Sequence, residues 1–348
     1  MPFINTIRNF FAAGNFGKET EYRAGTGGGS SLQLNGITKE HLNEMLTFAV
    51  LISDIRLKKT KTDKIYADLT VQDASKIMEV KCWDYEKYQQ VFEGIDAGDP
   101  VEIKGVIGEY NGQLQLTIKE VRKLPMGEIN VRDLIPTSTW DYEVMEKGLR
   151  VFYEKIETPE FRQLLDELIF SEAYYEKFMT YPAAKKVHHN FYHGILQHTL
   201  EVLKYSFTVA TTKKLTQLQT DRLIVMAFLH DWAKIKEYAP LPKNDLTDEG
   251  IMLGHIFMGS HEVLNVINGI DGFKEEDKLI ILNGLLGHHG ALEYGSPVLP
   301  KTIEAQILHQ SDKMSGDTES ILSFIEENRD EESFTPKLWN MGTGYYKK

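Results

Sequence analysis

The chain has 348 residues, of which 42% are hydrophobic and 26% charged, and a formal net charge of −12. That length allows two domains with separate cores, and the acidic balance excludes a protein that coats nucleic acid by bulk electrostatics. A single cysteine, Cys82, excludes an intrachain disulfide framework, and no apolar run approaches the ~20 residues that span a bilayer.

Residues 1–31 end in AGTGGGSS, the composition of a flexible linker, after a segment with Ile4, Ile7, Phe10 and Phe11. We read them as a mobile arm, native or not, with a docking helix as the alternative. The arm lacks the apolar h-region of a secretory signal, so a cytoplasmic location is expected. From 46 to 124 the period is two. In KIYADLTVQD, Ile65, Ala67, Leu69 and Val71 share one face, and Tyr66, Asp68, Thr70 and Gln72 the other. In KIMEVKCWDY, Met78, Val80 and Cys82 share a face, opposite Lys81 and Trp83. A short helix at 85–95 precedes VEIKGVIGEYNGQLQLTIKEV, a hairpin turning at Asn111-Gly112. Three strands, a short helix and two strands is the order of an all-β OB-fold barrel.

Residues 125–140, with Pro125, Gly127 and Pro136, form a connector. From 141 to 328 period 3.6 dominates, predicting an all-α bundle, and 329–348 read as a charged, irregular tail. The chain is thus multidomain, a β barrel followed by a helical bundle.

Ten of the eleven histidines lie between His188 and His309. His198, His230, His255 and the pair His288-His289 are each separated by about one helical hairpin, and Asp312 closes the series. In an antiparallel bundle such positions converge on one point. His and Asp donors without Cys suit Mn²⁺, Fe²⁺, Ni²⁺ or Zn²⁺ better than Ca²⁺, and Asp231, behind the apolar run of FLHDWAKIKEY, needs a partner because a buried lone carboxylate is costly. A carboxylate there can bridge two ions. A lone helical histidine is more often a hydrogen-bonded core or surface residue, and His261 and His309 are read so.

The pattern H…HD…H…HH…D resembles the HD-domain phosphohydrolases. With the OB-fold before it and the strings PAAKKVHHNFYHGILQHTLEVLKY, LHDWAKIKEY, LTDEGIMLGHI and HHGALEYGSPVLPKTIEAQILHQSDKM, the chain is similar to the YhaM-type 3′-to-5′ exoribonucleases over about 46–318. The resemblance implies a metal-dependent enzyme degrading single-stranded RNA, and often DNA, to nucleoside 5′-monophosphates. It implies two divalent ions, Mn²⁺ first, with Fe²⁺, Ni²⁺, Co²⁺ or Mg²⁺ as alternatives. His198, His230, Asp231 and Asp312 would hold one ion, and Asp231 would bridge to another at His255, His288 and His289. Lys234 would lie near the scissile phosphate, and His188 and His189 would face substrate. A homo-oligomer is also implied; a membrane partner is not. Three positions depart from the family's habit: Gln197 for Glu, His193 for glycine, and Trp232 for an aliphatic residue.

On the barrel's outer face Tyr66, Lys81 and Trp83, with Tyr110 beside the hairpin turn, are expected to stack bases. Packing of Tyr66 and Trp83 against the helical domain is the alternative. Two other functional readings stay open: a phosphohydrolase of small or cyclic nucleotides with the barrel as regulator, and a nucleic-acid-binding protein with a decayed catalytic domain.

Overall fold

A computed structural model describes residues 32–110, 113–125, 128–129, 131–185, 189–241, 243–328 and 332–348. The arm at 1–31, the turn at Asn111-Gly112 and His188 lie outside them. The described chain forms two units, one of residues 32–137 with Pro240–Asn244, the other of Ser138–Ala239 and Asp245–Lys348.

The first unit holds β1 (Met45–Lys59), β2 (Ile65–Gln72), β3 (Ile77–Cys82), α1 (Tyr85–Phe92), β4 (Pro100–Tyr110) and β5 (Gln113–Lys123), and its strands close into a barrel in the order β1-β2-β3-β5-β4. The long β1 serves two neighbours. Its first half pairs with β4 from Met45↔Val106 to Leu51↔Pro100, and its second with β2 from Leu51↔Gln72 to Lys59↔Ile65. A register shift between Ile52 and Asp54 lets the strand bend between them. The parallel pair β3–β5 completes the ring at Val80↔Leu116 and Lys81↔Thr117. The alternation read from sequence fills the interior with Ala67, Leu69, Val71, Val80 and Cys82, all buried, against Ile103, Ile107, Leu116 and Ile118. Gln72 departs from the pattern: it is buried and accepts from Ser53 Oγ at 3.1 Å. Gly105 is required by close approach, because a Cβ there would lie 2.5 Å from Leu116 Cδ1 and 2.7 Å from the Thr117 carbonyl.

The second unit contains α2 (Tyr142–Tyr153), α3 (Pro159–Leu168), α4 (Tyr175–Thr180), α5 (Gly194–Lys213), α6 (Gln217–Leu229), α7 (Lys234–Glu237), α8 (Asp248–Ile267), α9 (Glu275–Gly287) and α10 (Ile303–Glu327). Threonines set three of the starts: Thr216, Thr247 and Thr302 accept from the backbone N–H of Gln219, Gly250 and Ala305. α6 is buried from Asp221 to Leu229 and α5 along most of its length, so both run through the core. Residues 334–346, expected to be irregular, pair instead in a small hairpin at Phe334↔Tyr346 and Leu338↔Thr343. Among the described residues no helix is long and apolar enough to cross a membrane.

Candidate metal centre and nucleic-acid face

α6 ends at Leu229 and delivers His230 and Asp231 to the centre of the bundle, where both are buried. His198 comes from the first turns of α5, Asp312 from the middle of α10, and His288 and His289 from the C-terminal end of α9. His255 reaches the same place because α8 breaks at Gly254, whose φ of 71° and ψ of 153° suit glycine alone. The break frees the His255 N–H, which donates to Glu237 Oε1 at 3.0 Å.

The donors fall into two groups, His198–His230–Asp231–Asp312 and His255–His288–His289, each with its donor atoms within 4.8 Å of one another. Asp231 touches both. Its Oδ2 is 3.3 Å from His198 Nε2 and 3.6 Å from His230 Nε2; its Oδ1 is 3.4 Å from His255 Nε2 and 3.7 Å from His288 Nε2. Asp312 Oδ1 lies 3.2 Å from His198 Nε2. Lys234 Nζ stands 2.7 Å from Asp231 Oδ2 and is itself buried.

Every one of these five rings turns Nδ1 outward to a protein acceptor. The partners are Ser315 Oγ at 2.9 Å for His198, the Ala227 carbonyl at 2.9 Å for His230, Glu237 Oε2 at 3.0 Å for His255, the Leu285 carbonyl at 2.7 Å for His288 and the Tyr294 carbonyl at 2.9 Å for His289. Spending Nδ1–H this way turns each Nε2 into the centre, where it would be the lone-pair donor to a bound ion, the arrangement of metal-bound histidines. Asp231 Oδ1, His255 Nε2 and His288 Nε2 are buried and make no hydrogen bond among the described residues. Buried polar atoms without partners are costly, and a divalent cation satisfies all three. The residues fit the ions expected from sequence.

The local fields are strong. Burial alone would raise Asp231, but Lys234 and His230 beside it hold its carboxyl well below the usual range. Burial opposes charge on His198 too, yet Asp231 and Asp312 raise it to about 9. Burial lowers His230 to about 4, and burial with its histidine neighbours does the same to His289. Lys234 is raised against burial by Asp231.

His189, expected to face substrate, is 1% exposed. Its Nε2 lies 3.4 Å from Glu201 Oε2, and its ring centroid is 5.1 Å from that of His198. His309 donates from Nδ1 to the His288 carbonyl at 2.8 Å, and His261 accepts from Asn265 Nδ2 at 3.2 Å. The sequence reading missed Glu201, Glu237 and Ser315, which stand behind the ligands. Each lies three residues beyond a candidate ligand or Lys234 (Glu201 after His198, Ser315 after Asp312, Glu237 after Lys234), which is the signal that could have found them.

The three unusual positions have local causes. His193 has a left-handed φ of 71° at the start of α5, where glycine is most at ease, and donates from Nδ1 to the Met179 carbonyl at 2.7 Å. Gln197 accepts from Ser138 Oγ at 2.6 Å and donates to Glu201 Oε1 at 2.9 Å. Trp232 points away from Asp231 into the core, edge-on to Tyr174 at 5.3 Å. Gly259 of α8 makes room for it: a Cβ there would lie 3.3 Å from Trp232 Nε1.

On the barrel, Tyr66 and Trp83 are half-buried and pack on each other with ring centroids 4.5 Å apart and planes 33° apart. Lys81 Nζ sits 5.5 and 5.8 Å from the two ring centroids and 3.4 Å from Asp68 Oδ1. Tyr110, at the end of β4, is 68% exposed. The four residues expected on this face are therefore described in one unit, three of them in a single cluster.

Residues 46–124 match the family described as an OB-fold nucleic acid binding domain, and residues 195–317 match the HD domain family. The 3′-5′ exoribonuclease YhaM of Oceanobacillus iheyensis is 30% identical over 315 residues, covering 90% of this chain and 97% of the relative. The proteins of the same name from Bacillus licheniformis and Geobacillus sp. are 29% and 28% identical, covering 80% and 90% of this chain and 87% and 94% of theirs. With identity sustained along nearly the whole of both chains and both domains in the same order, this chain belongs to the YhaM family of 3′-5′ exoribonucleases.

Proposed function

We infer that this protein removes nucleoside 5′-monophosphates from the 3′ end of single-stranded RNA, and of single-stranded DNA, at a two-ion centre. The observation that carries the reading is Asp231, which presents one carboxylate oxygen to each histidine group. His198, His230, Asp231 and Asp312 would hold one divalent ion, and His255, His288 and His289, with Asp231 between, the other. Such ions, when bound, activate water and offset the charge of the phosphate. Mn²⁺ is the ion we assign, on the mixed imidazole–carboxylate donor set.

The chain's own groups do the rest. Lys234 supplies a buried positive charge next to Asp231, where charge develops on the phosphate oxygens. The five Nδ1 hydrogen bonds fix the rings so that little reorganisation accompanies the reaction. The barrel face holds the strand by stacking rather than by net charge, which suits an acidic protein. A homo-oligomer is part of this reading, supported by the exposed Ile251, Met252 and Phe257 of α8. So is a cytoplasmic location, supported by a lone, buried thiol.

The test incubates the protein and its Asp231→Asn variant with Mn²⁺ and 5′-labelled single-stranded RNA, with free nucleotides in parallel. A ladder shortening from the 3′ end is expected for the wild type, with turnover reduced at least roughly 10³-fold in the variant. Phosphate release from nucleotides without shortening of RNA would replace this reading with the small-nucleotide one.

A further inference from the structure

Of the five histidines, His198 alone is held through a hydroxyl. Ser315 Oγ has one proton, and it donates that proton to Glu201 Oε2 at 2.6 Å. A carboxylate can only accept, so Ser315 Oγ must receive the His198 Nδ1–H across 2.9 Å. The direction of the chain is set at Glu201 and transmitted to the ring. Glu201 is itself fixed: Gln197 Nε2 donates to its Oε1 at 2.9 Å, and Gln197 Oε1 takes the hydroxyl of Ser138 at 2.6 Å. Ser315 is fully buried and Glu201 is 6% exposed.

On the metal reading above, we propose that Glu201 is a positioning residue for the first ion: through Ser315 it fixes the tautomer and orientation of His198. Neither Glu201 nor Ser315 reaches the reacting atoms. Their effect is to keep His198 Nε2 aimed between Asp231 and Asp312, 3.3 and 3.2 Å away, where its lone pair would meet a bound ion. Glu201 also lies with His189 and Glu319 in a group whose donor atoms are within 4.8 Å of one another. Both oxygens of Glu201 are already engaged by Ser315 and Gln197, which favours a holding role over coordination.

The experiment titrates Mn²⁺ into the metal-free full-length protein by calorimetry, for the wild type and for Glu201→Gln, Ser315→Ala and Ser315→Thr, with melting curves as the check on folding. Loss of an outer-shell partner weakens metal binding by about 10–100-fold, and that loss is expected for Glu201→Gln and Ser315→Ala at one of two sites. Ser315→Thr, which keeps the hydroxyl, is expected to restore binding. At saturating Mn²⁺, kcat should return toward the wild-type value and KM for RNA should not move. Wild-type Mn²⁺ affinity in folded Glu201→Gln and Ser315→Ala overturns the proposal while leaving the metal centre standing. So does a stoichiometry of three ions falling to two with the remaining affinities unchanged, because Glu201 would then belong to a site of its own with His189 and Glu319. Absence of Mn²⁺ uptake by the wild type removes the metal reading and this proposal together.

Discussion

His198 and His230 face the same two carboxylates and hold opposite protonation tendencies. His198, within 3.2 and 3.3 Å of Asp312 and Asp231, is raised to about 9. His230 is farther from both carboxylates, at 3.6 and 3.8 Å, and burial holds it at about 4. In the metal-free protein at pH 7.5 His198 therefore carries a proton on Nε2, and an arriving cation must displace it. Mn²⁺ binding at pH 7.5 is expected to release about one proton, with affinity rising as pH climbs toward 9 and the release vanishing above it. Calorimetry in buffers of different ionisation enthalpy measures this, and a heat independent of buffer would contradict the assignment. The convergence of these residues was legible because histidine and aspartate at hairpin intervals are uncommon. Glu201, Ser315 and Glu237 were not, since a residue behind a ligand announces itself only when two helices are brought together. The contact of His189 with Glu201, 3.4 Å from Nε2 to Oε2, was hidden for the same reason.

At the level of elements, the break in α8 does the most for the site. Gly254→Ala forces a side chain into a conformation that costs about 1–3 kcal/mol, and relief of that strain would carry His255 away from Asp231. The expected result is a lower melting temperature together with weakened binding of the second Mn²⁺. An alanine variant with unchanged metal affinity would show that the break is incidental. Trp232 and Gly259 form a second such device. Gly259→Ala is expected to cost about 1–3 kcal/mol by overpacking and Trp232→Leu about 2–5 kcal/mol by leaving a void. Because each change relieves the other, the double variant should cost less than the sum by about 0.5–3 kcal/mol. Simple additivity in denaturant melts would disprove the coupling. The barrel's elements could be read from period two alone, since one face is buried and the other is not. The helix break was marked only by the glycine before His255, a point of backbone freedom, because IMLGHI keeps a helical pattern across it. The hairpin at 334–346 could not be read, since it lacks the alternation that marks a strand.

In the whole molecule the barrel and the helical unit have separate hydrophobic cores, one around Val50, Leu69 and Ile103 and the other around Leu200, Phe228 and Trp232, and the proposed function puts binding on the first and chemistry in the second. Effects on the two should separate kinetically. Trp83→Ala is expected to weaken single-stranded RNA by about 1–3 kcal/mol, the worth of one stacked base, raising KM with little change in kcat. An unchanged KM would remove the barrel face from substrate binding. The two-domain order and the family could be read from the chain before any coordinates. The pairing of Tyr66 with Trp83 could not, because alternation places side chains on a face without saying which of them meet.

The closed ring of strands has one more consequence. The ring closes although β1 turns from β4 to β2 at Leu51 and β3 meets β5 at only two residue pairs, so the strands present their outward side chains around one continuous surface. A polynucleotide laid on that surface would meet side chains, and a ring face such as that of Trp83 would accept purine and pyrimidine alike. On the function proposed above, indifference to sequence would follow from stacking on such rings rather than from any reading of base edges.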